Sequence, residues 1–266
     1  MGQSTSDKEQ IQKLLRERQF AQAETLLLEA LQNASEEDSI HFFDMLSTVY
    51  RSTNRLEKAE EANYKALANA RKTCEPHSLT LASVLHNLSM TLDLEQKYAE
   101  AIPFAEEELT ILRQCVPDTD KRVANCLLSL AKHHYELGRF SLAKEMINDL
   151  IERYTKLEGR KCVGVSACLN NLGRILENEG CVEQAIPLYE ESVAIRKELL
   201  GTHEDTAFSL LNLGTALASQ ARYREAAQAF IACRDMYEEL GLLESPYLQA
   251  ARDNIIVCWN AVCTPC

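Results

Sequence analysis

The feature that most constrains this chain is a repeat. Six segments align without gaps: FFDMLSTVY, VLHNLSMTL, CLLSLAKHH, CLNNLGRIL, SLLNLGTAL and ARDNIIVCW. Their fifth residues are Leu46, Leu88, Leu130, Leu172, Leu213 and Ile255, at successive spacings of 42, 42, 42, 41 and 42. Thirteen residues after each of the first five stands an alanine: Ala59, Ala101, Ala143, Ala185 and Ala226. Three residues before each alanine is an apolar or aromatic residue, namely Leu56, Tyr98, Phe140, Val182 and Tyr223. Self-similarity at a fixed period of this size means stacked supersecondary units, none of which buries its apolar face alone.

Within each unit apolar residues recur three and four apart on both sides of a short polar turn such as ELGRFS or ENEGCV, the pattern of two helices buried along one stripe. Turn residues in CEPHSL, CVPDTD and GTHEDT close the second helix. The expected fold is an all-α, right-handed α-solenoid of helix-turn-helix repeats with about 13 helices. The expected organisation is a capping helix pair over 1–36, five repeats over 37–244, and a capping helix with a short cysteine-containing tail over 245–266.

Composition narrows function by exclusion. Lys+Arg 28 against Asp+Glu 40 leaves a net charge of −12, which argues against nucleic acid as the main ligand and is compatible with a cationic partner. The ten cysteines scatter, most of them among apolar helical residues, where a free thiol acts as a small hydrophobe. MGQSTSDKEQ has no apolar core of a secretory signal, and no run approaches a membrane span, so a reduced cytoplasmic setting is expected.

A leucine followed by a small residue, with alanine thirteen positions on, resembles the tetratricopeptide repeat, whose usual length is about 34 residues. The longer period here, with Leu169-Asn170-Asn171-Leu172-Gly173, then Ala185, then Leu200-Gly201-Thr202-His203-Glu204-Asp205, is similar to the kinesin light chain and nephrocystin-like group of such proteins. The resemblance covers residues 37–240 or so. It implies a concave groove that takes an extended peptide, and motor attachment is not implied.

The residue after each key leucine is Ser47, Ser89, Ala131, Gly173 or Gly214, a small-residue column that means close helix approach rather than a phosphate loop. The residue before it is Met45, Asn87, Ser129, Asn171, Asn212 and, in the last segment, Asn254. An amide carries donor and acceptor in one flat group and can pair with peptide backbone of any sequence. The resemblance therefore implies peptide contacts at Asn87, Asn171, Asn212 and Asn254, the alternative being amides that tie neighbouring repeats together. By the same register His86, Met90 and Asp93, Asn125, Lys132 and Tyr135, Asn170, Arg174, Glu177 and Asn178, and Thr215 face the groove. Lys132 and Arg174 occupy equivalent positions in adjacent repeats and suggest a place for an acidic group. A chaperone-tail clamp is not expected, because its first lysine would stand where Asp44, His86 and Leu128 are.

Catalysis has little support. His133-His134 lacks zinc spacing and reads as a surface or inter-helix pair. Cys263-Thr-Pro-Cys266 lacks the βα context of a redox motif and reads as a tail. Met1-Gly2-Gln3-Ser4-Thr5-Ser6 fits the N-myristoylation pattern at Gly2. The expectation is a non-catalytic adaptor or scaffold with no cofactor, whose partner is a protein, not nucleic acid or metal, with membrane contact only if Gly2 is acylated. Rival readings are a myristoylated organiser of a receptor or signalling complex, and a docking subunit of a larger enzyme assembly.

Overall fold

The computed structural model describes residues 2–263. Among these the chain forms thirteen helices and no strand: α1 (Gly2–Arg16), α2 (Phe20–Asn33), α3 (Glu36–Ser52), α4 (Leu56–Thr73), α5 (Leu79–Leu94), α6 (Tyr98–Cys115), α7 (Lys121–Glu136), α8 (Phe140–Glu158), α9 (Val163–Asn178), α10 (Val182–Leu200), α11 (Glu204–Ser219), α12 (Tyr223–Glu239) and α13 (Pro246–Cys263). They divide into two compact units, α1–α7 and α8–α13, with the division after Gly138, inside the third repeat rather than at a cap.

Local chemistry starts the two helices of a repeat differently. First helices open on a side-chain cap. Ser35 accepts from the Asp38 N–H, Ser78 from Leu81, Asp120 from Arg122, Cys162 from Val165 and His203 from Asp205. Each satisfies one of the donors that a helix start leaves without an intrahelical partner. Second helices have no such cap and follow a tight turn through one left-handed residue. That residue is Asn54, Gln96, Gly138, Gly180 or Ala221 in the five repeats, and Arg18 between α1 and α2. The leading pair is thus the same hairpin as the repeats behind it.

Every repeat alanine named above is fully buried at 0% exposure, and the five key leucines are buried with them. Close packing at the small-residue column explains the two glycines. A Cβ on Gly173 would lie 2.6 Å from the Tyr189 ring, and one on Gly214 would lie 2.6 Å from the Phe230 ring. Tyr189 and Phe230 stand seventeen residues after their key leucines. The same column holds Asn63 behind Ser47 and Ala105 behind Ser89. Glycine therefore accompanies a large ring, and serine accompanies a smaller partner.

First helices of successive repeats also touch each other directly: α3 with α5 in the first unit, α9 with α11 and α11 with α13 in the second. The face that they share is the inner face of each unit. No helix among the described residues is long and apolar enough to cross a membrane.

Two stability outcomes follow. Left-handed conformation costs a non-glycine residue about 1–2 kcal/mol, so Ala221→Gly raises the melting temperature by roughly the equivalent of 1 kcal/mol once glycine's extra unfolded-state entropy is subtracted. Gly173→Ala lowers stability by about 1–3 kcal/mol through overpacking. In a thermal-melt double-mutant cycle, Gly173→Ala with Tyr189→Ala loses less than the two single losses added together.

Candidate functional site

The inner face carries the asparagine column, and the structure divides that column in two. In the first unit the Asn87 side chain is held between repeats. Its amide donates to the Asp44 carboxylate of α3, and its oxygen accepts from Arg51 Nη2 at 3.2 Å. Arg51 Nη1 donates to the Asn87 carbonyl at 3.1 Å. Beneath them, buried Asn63 of α4 donates to the same carbonyl at 3.2 Å and to Thr91 Oγ1 at 2.7 Å. Burial pushes the Asp44 carboxyl above its ordinary value and the Arg51 guanidinium below its own, as expected for charges drawn out of water into a tie between helices.

In the second unit, Asn212 Nδ2 donates to Asn170 Oδ1 at 3.1 Å, joining α11 to α9. Asn170 is only 3% exposed. This corrects the expectation that Asn170 is a groove contact: its side chain is inside, serving the next repeat. Asn171 and Asn254 differ. Each is half-buried on the inner face, and neither amide has a side-chain hydrogen bond among the described residues.

The basic positions do not stand free. Lys132 pairs with Asp93 at 2.7 Å, and His133 Nε2 lies 3.4 Å from the same carboxyl. Burial raises the Asp93 carboxyl, but hydrogen bonds from His133 and Lys132 outweigh it and hold the group below its ordinary value. Arg174 and Tyr135 are half-buried and engaged with other groups of the protein. His133 and His134 are both buried, at 1% and 4% exposure, so the surface version of that reading does not hold. They fall in two columns, three and four residues after the key leucine, that are mostly apolar and buried in other repeats, as with Val49 and Tyr50. Gly2 is the first residue of α1, and Cys263 is exposed at the end of α13. Met1 and Cys266 lie outside the described residues.

A cavity of about 160 Å³ lies between α5, α6 and α7. Ser83 and His86 of α5 line one side, Arg122 and Asn125 of α7 the other, and Glu108 and Leu112 of α6 the floor. The inner-face register found His86 and Asn125. It did not find Glu108, which comes from a second helix and is 4% exposed. Glu108 stands twenty residues after its key leucine, where the other repeats have Ala66, Leu150, Ser192 and Cys233. A carboxylate in a column of small and apolar residues is a signal that appears only when the second helices are aligned as carefully as the first.

His86 Nδ1 lies 3.1 Å from one Glu108 oxygen and 3.3 Å from the other. The hydrogen bond to Glu108 raises the His86 pKa above 6.5, against the opposing effect of burial. Cys126 sits beside the same carboxylate and donates to the Ala105 carbonyl at 3.1 Å. Burial, with Glu108 nearby, pushes its thiol well up, so it stays protonated.

The His86–Glu108 pair has a testable pH signature. A raised histidine pKa adds stability that is fully present below 6.5 and is lost as pH rises through the folded-state value above it. His86→Gln should therefore lower the melting temperature most at acidic pH. The gap to wild type should narrow in the alkaline range, as read from melts across a pH series.

Comparison with known proteins places these features in a family. A tetratricopeptide repeat family model matches residues 42–114 and 164–239, more than half of the chain. Protein O-mannosyl-transferase Tmtc3 of Drosophila melanogaster is 31% identical over 70 residues, which is 26% of this chain and 7% of that protein, so the chain spans only a small part of this relative's length. Among solved structures, kinesin light chain nearly identical TPR-like repeats of Podosopora anserina superpose with a TM-score of 0.66 at 19% identity, covering 76% of this chain and 96% of that one. The quorum sensor NprR, from B. thuringiensis in its apo form, superposes with a TM-score of 0.74 at 15% identity, covering 96% and 68%. NprR in complex with its cognate peptide NprX superposes with a TM-score of 0.63 at 15% identity, covering 89% and 67%. Helix-turn-helix repeats, the buried leucine and alanine columns and the matched family model lead to one conclusion: the chain belongs to the tetratricopeptide repeat family.

Proposed function

We propose that this protein is a non-catalytic interaction adaptor that holds an extended segment of a partner protein on the inner face of its first helices. The observation that carries the reading is the state of Asn171 and Asn254. Both are half-buried in the same inner-face column, and both amides lack a side-chain partner among the described residues. Asn87 and Asn212, in that column, are used up in ties to neighbouring repeats. An amide held on a rigid helix with both functions open suits one N–H and one C=O of an extended backbone. The peptide-bound NprR structure supports the reading by analogy of fold.

The proposal separates the asparagines by experiment. Two amide contacts, each contributing about 0.5–1.5 kcal/mol, make the Asn171→Ala, Asn254→Ala double variant bind its partner roughly ten-fold more weakly. Its melting temperature should stay close to wild type. Asn212→Ala should instead lower stability by about 1–3 kcal/mol, because it leaves the buried Asn170 oxygen without its donor. A double variant that captures the partner from its native cells at wild-type affinity would contradict the reading.

A further inference from the structure

Glu108 is a carboxylate where this fold needs none. The equivalent residues are Ala66, Leu150, Ser192 and Cys233, so the packing of a second helix accepts small or apolar side chains at this position. Replacing a buried ion pair by well-packed apolar groups is often neutral or stabilising, so stability alone is a poor reason for the pair. Glu108 is also not enclosed by its neighbours: it floors a cavity of about 160 Å³ with exposed Ser83, Arg122 and Asn125 at its mouth. An engineered apolar cavity of similar size, about 150 Å³, holds a benzene molecule, so there is room for a long side chain.

We propose that this cavity is a subsite for a basic side chain, lysine or arginine, of a partner segment lying on the inner face of the first unit, with Glu108 as its carboxylate partner and His86 as the resident cation that it replaces. The inference rests on the adaptor reading and names the chemistry of one contact within it. The surrounding charges favour it. Arg122 at the mouth is already held by Asp120, with Nε and Nη2 each 2.9 Å from a carboxylate oxygen. Behind His86, Arg51 and Asp44 of α3 act on its ring with opposite signs. A protonated His86 balances Glu108. A neutral His86 leaves the carboxylate without its counter-charge, and an ammonium or guanidinium supplies one. The chain's net charge of −12 further favours approach of a basic segment.

Histidine and incoming cation compete for one carboxylate, so the basic contact strengthens as pH rises through the His86 pKa. This is the reverse of what an acidic ligand would do. Selection from a displayed random-peptide library on the full chain, at alkaline pH above the raised His86 pKa, provides the probes. Peptides selected on wild type should share one lysine or arginine. Replacing it by norleucine should weaken binding roughly ten-fold for wild type and leave binding to Glu108→Leu unchanged. Binding should also weaken at about pH 6, where His86 is charged. In the alkaline range, where the stabilisation from protonated His86 is lost, Glu108→Leu should melt at or above the wild-type temperature, and Glu108→Gln serves as the isosteric control.

Selected peptides without a basic residue, or a norleucine effect that persists in Glu108→Leu, would overturn the subsite. So would a Glu108→Leu variant that melts well below Glu108→Gln, which would make Glu108 structural. The adaptor reading is judged separately. Peptides that ignore Glu108 but are lost with Asn171→Ala refute only the subsite. Peptides that need Glu108 but neither Asn171 nor Asn254 refute the asparagine contacts alone.

Discussion

Close approach of two helices at one small residue per repeat organises this protein. Where the ring of Tyr189 or Phe230 lies against the backbone of the first helix, only glycine fits. Where the facing residue is Asn63 or Ala105, serine suffices. That contact sets the distance between the helices of a hairpin. The fully buried alanine thirteen residues on sets it again from the other side. Within each unit, hairpins of the same geometry bring first helices together, α3 with α5 in the first and α9, α11 and α13 in the second, and their outward-pointing columns form that unit's polar inner face. The key leucines, the alanines and the left-handed turn residues all serve that one geometry.

The inner face is therefore defined by what the stack leaves unused. Buried polar groups must find partners, and on this face many do so one repeat away: Asn87 with Asp44, Asn212 with Asn170, Lys132 with Asp93. These ties join neighbouring repeats, the interface on which a solenoid's stability depends. Asn171, Asn254 and the cavity floored by Glu108 are the exceptions. A repeat protein gains function where one repeat departs from the others without disturbing the stack, and Glu108 is such a departure.

Much of this was legible in the sequence. The key leucines and the paired alanines follow from periodicity, and two residues of the first-helix register, His86 and Asn125, line the cavity. The small-residue column was read as packing, and Gly173 and Gly214 against their rings have that role. What could not be read was pairing. Whether an inner-face amide points outward or across to the next repeat depends on the residue one period away, so Asn170 was assigned to the groove although it lies inside. The two adjacent histidines read as a surface or inter-helix pair, and the buried columns that hold Val49 and Tyr50 in the first repeat favour the second of these. Glu108 lies outside the first-helix register, because the cavity also draws on a second helix.

The central claim is that the inner face of the first helices, not the outer surface of the second, meets the partner. Site-specific photo-cross-linking tests it most directly. A photoreactive residue at exposed Met90 or Thr215 samples the inner face, and one at exposed Thr110 or Ala194 samples second helices. Cross-links to the partner should form from Met90 or Thr215 and not from Thr110 or Ala194. Cross-links confined to Thr110 or Ala194 would contradict the account.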